Sequence, residues 1–580
     1  VSPQQARNEL DILGAALERE YPRENQDVRI FASPLRDELL GAAKSPILLL
    51  TGAVLCLLIV ACANVANLLL LRSLGRRREF ALRTALGASG GRLVRQLVVE
   101  SGLLALGGGV VALLVAFGAL KLFLALAPAD VPRLQGAVID GRVLAFALGV
   151  STISALAFAI GPLVRVLRGA PRDALSETAT ASTQTRGSRT SQHALAAVQI
   201  GFALTLVIGA GLLVRSVQRL LAVERGFDPR GVSALTVQVW DEYPTDADRV
   251  AFARDMEERL RALPGVRHVG VTTALPMHDP IGNQGAGVVI VGSGLTDRDM
   301  RQALAAAISP TYFNTLGIPL RQGRTFAAVD DTAGPPVAIV NEAFVREHFP
   351  EKSAVGQRVR VSFTGPAIER EIVGVVGDVR HGGLHETPQP AVFVPYTQHS
   401  AGGIMFIMKS ERPPATMLPE MREALREANA SLPSDDLTTL DRLLELSTRE
   451  RRFLRTLLLG FSALALALAL IGTYGVVSHA TAARRREIAV RMALGASEAS
   501  VRGLVLRHGS LLAAAGSVLG LLGAAALVRL LQGSLFGISP FDPPTYLLST
   551  VLVLAAAVVA STVPAVQASQ SNPSTVLRST

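Results

Sequence analysis

Seven stretches of this chain are apolar over about 20 residues or more, the length that an α-helix needs to cross the hydrocarbon core of a bilayer. Only 18% of the 580 residues are charged, and the mean hydropathy is +0.38. Buried helices of a large soluble protein are the alternative, but so many spans of this length exceed what core helices show. We therefore predict an α-helical polytopic membrane protein with spans at Pro46–Leu71, Ser101–Leu126, Val143–Val164, Ala194–Val214, Leu457–Val477, Ser510–Leu531 and Tyr546–Val566.

The arginines predict how these spans are oriented. They concentrate after the first, third and fifth spans, whereas the short loops 127–142 and 532–543 are nearly neutral. Because basic loops stay in the cytoplasm, the large segment 215–452 and the N-terminal tail should face outward. The same distribution accounts for the net charge of +10, so we expect no nucleic-acid partner. Cys56 and Cys62 lie in one span, which argues against a disulfide framework.

A basic segment occurs twice in the chain. It reads RRREFALRTALGAS at Arg76–Ser89 and RRREIAVRMALGAS at Arg484–Ser497, with differences at only three positions. Each copy follows one apolar span and precedes another, so the order of span, basic segment, span, short outer loop and span occurs twice. The sequence therefore predicts two similar membrane units of three to four helices each.

Each copy has the pattern of a short cytoplasmic helix, a sharp turn and a second helix that enters the membrane. Its glutamate precedes an arginine by four positions, its glycine suits a left-handed helix end, and its serine can cap the next helix. A basic loop that merely fixes orientation is the alternative, but charge alone does not explain the repeated uncharged positions. The candidate site residues are Arg76, Arg77, Arg78, Glu79, Arg83, Gly87, Ser89, Arg484, Arg485, Arg486, Glu487, Arg491, Gly495 and Ser497.

With its flanking sequences, this repeated segment resembles the FtsX-like permease family, which includes the MacB-type macrolide exporters and the lipoprotein-releasing permeases. CANVANLLLLRS at 62–73 precedes the first copy, and RLVRQLVVESGLLAL at 92–106 follows it. VGDVR at 376–380 and IVNEAFVREHFP at 339–350 resemble the MacB-like periplasmic core domain. The duplicated layout is most similar to the acidobacterial-type orphan permeases, in which two such units are fused.

The resemblance implies a division of the chain into six parts. In this family each half begins with an extra span before its outer domain. Only the second half of this sequence has that span, so we expect a further outer-domain portion and a span upstream of Val1. The parts are the C-terminal remnant of a first periplasmic core domain (1–45), a first FtsX-like membrane unit (46–177), a cytoplasmic linker (178–193), a leading transmembrane helix (194–214), a MacB-like periplasmic core domain (215–452) and a second FtsX-like unit (453–580).

The outer segment 215–452 alternates strand and helix patterns, which predicts an α+β domain or a pair of subdomains. His381 and His385 are four residues apart, but Gly382 and Gly383 break any helix that could turn both toward one metal. We interpret this stretch as a solvent-exposed loop. No catalytic residue, metal ligand or cofactor site is nominated.

The predicted function is coupling to the ATP hydrolysis of another subunit rather than catalysis by this chain. The sequence contains no G-x-x-x-x-G-K-[ST] phosphate loop, so ATP must be hydrolysed by a separate subunit if it drives this chain. The resemblance implies the permease of an ABC transporter with two cytoplasmic ATPase subunits, membrane lipid and a periplasmic partner. Its work would be export such as macrolide efflux, lipoprotein or lipid handling, or mechanotransmission. The alternative is an ATPase-free scaffold or sensor with a periplasmic binding domain.

Polar and small residues within the spans have two interpretations. Asn64 and Asn67 share one helix face, and their repeat counterparts are Gly472 and Gly475. Close helix packing is the favoured interpretation, and a polar lining for a substrate is the alternative. The small-xxx-small pair formed by Gly516 and Gly520 likewise predicts close packing of two helices.

Overall fold

A computed structural model describes residues 2–21, 30, 32–75, 90–126, 136–150, 186–278, 285–363, 366–433 and 436–570. The chain divides into two compact units. One comprises Val1–Ser33 and Arg219–Arg449, and the other comprises Pro34–Gln218 and Glu450–Thr580. We refer to them as the outer unit and the membrane unit.

The helices include both long apolar elements and shorter ones. In chain order they are α1 (Pro3–Glu20), α2 (Leu35–Gly75), α3 (Gly90–Leu126), α4 (Gly141–Val150), α5 (Arg186–Leu221), α6 (Asp246–Ala262), α7 (Tyr312–Leu316), α8 (Glu342–His348), α9 (Pro414–Ala428), α10 (Leu440–Ala483), α11 (Arg485–Ala493), α12 (Glu498–Leu531) and α13 (Pro543–Ser569).

Six of these helices are long and apolar enough to cross a membrane within the described residues, and they coincide with six of the seven predicted spans. The seventh, Val143–Val164, starts in α4 and continues into residues outside the described part. Helix α10 is much longer than the predicted span Leu457–Val477, because its charged first turns also favour a helix and extend it without a break. The structure therefore confirms the polytopic helical architecture.

Helix α5 is the core of the membrane unit. In its apolar part, 72% of the residues are buried, compared with 39% or less in the other candidate spans. We expect the exposed apolar faces of those other spans to contact lipid. The buried cluster around α5 contains residues of α2, α5, α10, α12 and α13, including Leu49, Ala53, Leu204, Leu458, Ala513 and Val553.

The outer unit is built on one sheet of eleven strands in the order β11-β1-β10-β2-β4-β3-β7-β8-β6-β9, with β5 paired to β8. Since β9 also pairs with β4 in parallel, the strands from β4 to β9 close into a ring, and the first four form an open antiparallel arm. The strands are β1 (Val232–Gln238), β2 (Val266–Thr272), β3 (Gly285–Ile290), β4 (Arg301–Ile308), β5 (Leu320–Gly323), β6 (Val337–Asn341), β7 (Arg358–Ser362), β8 (Ile368–Val376), β9 (Ala391–Pro395), β10 (Gly403–Ser410) and β11 (Leu437–Thr439).

Helices α6 and α9 pack their apolar faces on this sheet through Met256, Leu260, Met417 and Met421. Thr245 starts α6 by accepting a hydrogen bond from the backbone N–H of Asp248. The α+β prediction for the outer segment is therefore confirmed, with ring and arm as its two parts.

One sequence-based expectation for this unit holds only in part. The stretch around His381 is a loop, but the His381 side chain is only partly exposed, and its Nε2 atom is buried without a hydrogen-bond partner among the described residues. Its backbone carbonyl accepts a hydrogen bond from Met277 at 2.8 Å, which holds the loop against the domain. Burial lowers the pKa of His381 to about 4. The side chain of His385, in contrast, is about half exposed at 47%.

Candidate coupling segment and its support in the membrane

The second copy of the repeated segment folds as a helix, a turn and a helix. A single residue, Arg484, lies between the end of α10 and the start of α11. Gly495 follows α11 in the left-handed region, with φ +95°. Its N–H donates to the carbonyl of Met492, and the N–H of Ala496 donates to that of Arg491, both at 3.0 Å. This pair of bonds is a Schellman motif, which turns the chain sharply and favours glycine.

Ser497 then caps α12. Its hydroxyl oxygen accepts a hydrogen bond from the backbone N–H of Ser500 at 3.3 Å. In the first turns of α12, Arg502 pairs with Glu498 at 2.7 Å and donates to the hydroxyl of Ser569 at 2.9 Å. The start of α12 is thereby fixed to the end of α13.

One face of α11 is attached to the membrane helices. Ile488 and Ala489 are buried, and Met492 is partly buried. Since Ile488 and Met492 pack in one cluster with residues of three different helices, a displacement of α11 must move all three or break the cluster. The cluster partners are Val477 of α10, Val501 and Val505 of α12, and Ala565 and Ala568 of α13.

The other face of α11 is open. Val490 of α11 and Leu494, the residue that directly follows the helix, are four positions apart, and their exposed fractions are 42% and 83%. Beside them, Glu487 and Arg491 form the predicted ion pair at 2.7 Å, with both side chains about half exposed. Sequence reasoning missed this apolar ridge, although two apolar residues four apart in a basic segment were a readable signal.

The remaining predicted site residues belong partly to the second copy, which the structure describes, and partly to the first. Arg484 and Arg485 are exposed at the start of α11, and for Arg486 the structure describes only the helical backbone. The first copy, Arg76–Ser89, lies outside the described residues, and the predictions for Arg76, Arg77, Arg78, Glu79, Arg83, Gly87 and Ser89 fall there.

Helix α5 crosses α12 at very short range. A Cβ atom on Gly516 would lie 2.8 Å from the carbonyl oxygen of Ala197, and one on Gly520 would lie 2.8 Å from that of Gly201. The hydroxyl of Thr205 donates to the carbonyls of both Gly201 and Gly520, at 3.0 and 3.1 Å. Close packing through the small-xxx-small pair is therefore confirmed.

Buried amides connect α2 with α5 and α10. The Asn64 side chain donates to the carbonyl of Leu468 at 2.8 Å, and Gln199 donates to the Asn64 side-chain oxygen at 3.3 Å. Gly472, the repeat counterpart of Asn64, leaves the space that these two amides occupy. Asn64 therefore serves helix packing, whereas Asn67 is buried with no hydrogen-bond partner among the described residues.

The far end of α5 is attached through polar contacts as well. Arg215 forms an ion pair with Asp542, the residue that caps α13 through the N–H and hydroxyl of Thr545. The hydroxyl oxygen of Ser216 accepts a hydrogen bond from the N–H of Phe536 at 2.8 Å. Neither contact was predicted from the sequence, because both join residues more than 300 positions apart.

Two protein families match this chain. The MacB-like periplasmic core domain matches residues 194–424, and the FtsX-like permease C-terminal domain matches residues 51–171 and 459–573. The second match places one FtsX-like domain on each copy of the repeat.

Two curated relatives are each 24% identical to parts of the chain. One is the macrolide export ATP-binding/permease protein MacB of Marinobacter nauticus, matched over 46% of this chain and 42% of the relative. The other is the uncharacterized ABC transporter permease YknZ of Bacillus subtilis, matched over 40% of this chain and 59% of the relative. The matched part thus spans about half the length of these relatives.

Among solved structures, the periplasmic region of MacB from Actinobacillus actinomycetemcomitans is 16% identical, with a TM-score of 0.27, and covers 40% of this chain and 97% of that one. The extracellular domain of YknZ from Gram-positive bacteria is 14% identical, with a TM-score of 0.25, and covers 36% and 98%. The two family matches together account for most of the residues. The chain therefore belongs to the FtsX/MacB-type ABC transporter permeases, and it is a multi-pass inner-membrane protein with a large extracytoplasmic domain.

Proposed function

We propose that this chain couples ATP hydrolysis by two separate cytoplasmic ATPase subunits to movement of its extracytoplasmic domain. Each copy of the repeated segment receives one ATPase, so that a single duplicated chain takes the place of a permease homodimer. The segment 215–452 is the part that moves under this proposal.

The observation that carries the proposal is the two-sided character of α11. Its exposed ridge, Val490 and Leu494, has the composition of a small docking surface, an apolar centre beside arginines. Its opposite face is packed on α10, α12 and α13. A basic loop that only fixed orientation would need neither the buried attachment nor the exposed apolar ridge.

Chain connectivity supplies a route for the motion. Helix α10 begins directly after β11 and continues for 44 residues to the joint with α11. A push on α11 therefore enters an element that is covalently continuous with the sheet of the outer unit. Movement of the outer unit then drives export or is transmitted mechanically to a periplasmic partner. Macrolide export, which the name of one relative states, is one specific form of it.

ATPase stimulation tests the proposal. A valine at Gly495 must adopt a left-handed backbone, at a cost of roughly 1–3 kcal/mol, and should misdirect the turn into α12. We expect Gly495→Val to lower stimulation of the partner ATPase by the reconstituted chain, and we expect Gly495→Val with Gly87→Val to abolish it.

Gly503→Val is the matched control, since Gly503 lies in α12 with no described atom within 4 Å of an added Cβ. It should stimulate like wild type. If the double variant stimulates as well as wild type, or if no ATPase binds the intact chain, the segments are orientation signals and the scaffold or sensor function replaces this one.

A further inference from the structure

Two histidines on different helices bring their Nε2 atoms together. His193 lies near the start of α5 and His508 in the first half of α12. Their Nε2 atoms are 3.1 Å apart, and the ring centroids are 4.7 Å apart with an interplanar angle of 66°. Both side chains are half-buried, so that solvent reaches the pair.

The pair lies at the edge of a small buried cluster in which three helices meet. Ala196 of α5, Val476 of α10 and Leu512 of α12 form this cluster. His193 and His508 each precede their own helix's cluster residue by about one turn. On the predicted orientation this is the cytoplasmic side of the membrane unit. The pair therefore joins the ends of two helices whose middle parts are already in glycine-mediated contact.

We propose that His193 and His508 form a binding site for a first-row divalent transition metal such as Zn²⁺, Ni²⁺ or Cu²⁺. Imidazole nitrogen is a preferred ligand of these ions, whereas Mg²⁺ and Ca²⁺ select oxygen. Two nitrogens each about 2.0–2.1 Å from Zn²⁺ lie roughly 3.3 Å apart in tetrahedral geometry. The observed 3.1 Å separation is close to that spacing before any metal enters.

Metal entry requires a change of tautomer at one ring. Without a metal, one neutral ring donates its Nε2–H to the Nε2 lone pair of the other. For both Nε2 atoms to act as ligands, the donor ring must carry its proton on Nδ1 instead. No net proton is released, and no redox partner is needed.

The described surroundings supply two protein ligands. No third His, Cys, Asp or Glu among the described residues joins the pair, and water can occupy coordination positions that the two imidazoles leave open. Arg484 lies within electrostatic range of His508, and its positive charge disfavours the binding of a metal cation there. Bound metal would hold α5 to α12 beside the joint between α10 and α11.

Zn²⁺ titration of the full-length protein, after chelator treatment, tests the proposal without reference to any ATPase. We expect one Zn²⁺ per chain in wild type and an at least tenfold loss of affinity in His193→Ala and in His508→Ala. The loss in the double variant should be smaller than the sum of the two single losses, because two ligands of one ion act together.

His479→Ala is the matched control, since His479 is on α10 about one turn beyond Val476 and outside the pair. It should bind Zn²⁺ like wild type. Equal affinity in wild type and the double variant, or an equal loss in the His479 variant, would overturn the site.

A second measurement needs no variant. Paramagnetic resonance of wild type with one equivalent of Cu²⁺ should show two imidazole nitrogens, and a spectrum with oxygen ligands alone would also overturn the proposal.

Discussion

The side-chain amide of Asn64 donates a hydrogen bond to the backbone carbonyl of Leu468, and this bond joins corresponding helices of the two repeats. Leu468 is one turn before Gly472, the residue that occupies the position of Asn64 in the second repeat. The two halves therefore meet asymmetrically, with an amide on one side and a glycine on the other. An internal duplication permits this arrangement, because each half can acquire its own residues at a shared contact.

A side chain at Gly472 should disturb this contact. An added Cβ would lie 2.6 Å from the Asn64 side-chain oxygen and would also meet Gln199. We expect Gly472→Leu to lose hydrogen bonds worth about 0.6 kcal/mol each and to add about 1–3 kcal/mol of overpacking. Thermal unfolding in detergent should show a lower midpoint than for Gly475→Leu, whose added Cβ meets no described atom within 4 Å. Equal midpoints would contradict the packing role of Asn64.

The glycine crossing of α5 and α12 gives a second stability prediction. In Gly520→Ala the new methyl group meets the backbone carbonyl of Gly201, which cannot rotate away as a side chain can. We expect a loss of about 1–3 kcal/mol in the free energy of unfolding. Gly503→Ala is the control, and it should be neutral or slightly stabilising because alanine favours a helix. An unchanged midpoint in Gly520→Ala would show that the helices can separate freely at this point.

Acid should destabilise the outer unit through His381. Its folded pKa, about 4, is below the usual value of about 6.5, so the unfolded state binds the proton more readily. The stability that His381 contributes is fully present above pH of about 6.5 and is lost as the pH falls toward 4. The loss amounts to about 2–3 kcal/mol.

Trp240, the only tryptophan of the chain, reports on this unit by fluorescence. Denaturation series between pH 7 and pH 4 should show a smaller loss of stability in His381→Phe than in wild type. Identical pH dependence in both proteins would mean that the His381 ring is accessible to protons in the folded state.

A carboxylate introduced on the buried face of α11 should lower stability, whereas one introduced on the exposed ridge should lower ATPase stimulation. Ile488→Asp places a carboxylate in the buried cluster, and we expect a loss of about 2–4 kcal/mol in stability. Leu494→Asp changes an exposed side chain, so its effect on stability should stay within about 0.5 kcal/mol. Stimulation of the ATPase should nevertheless fall in Leu494→Asp. Normal stimulation in that variant would remove the exposed ridge from the docking surface.

The sequence predicted those features that depend on nearby residues. The length of the apolar stretches identified the spans. The order of Glu487, Arg491, Gly495 and Ser497 predicted a helix, a turn and a capped helix, and the structure contains all three. Each of these signals acts within a few positions of the chain.

Features that depend on distant residues could not be predicted in the same way. His193 and His508 are 315 positions apart, and neither helix pattern indicates that they meet. Apolar composition likewise does not tell a helix surrounded by protein from one surrounded by lipid, so the central place of α5 was not evident. For His381, the neighbouring glycines suggested an exposed loop, but its Nε2 atom is buried and its backbone carbonyl accepts a hydrogen bond from Met277.

Photo-crosslinking from position 494 shows whether the exposed ridge contacts an ATPase. A photoreactive amino acid in place of Leu494, in the full-length protein in its native membrane, should form a crosslink to a nucleotide-binding ATPase chain. The same probe in place of Ser353, an exposed residue of the outer unit, should not. We expect a crosslink to an ATPase from 494 alone. An absent crosslink from 494, under conditions in which the protein is folded and inserted, would contradict it.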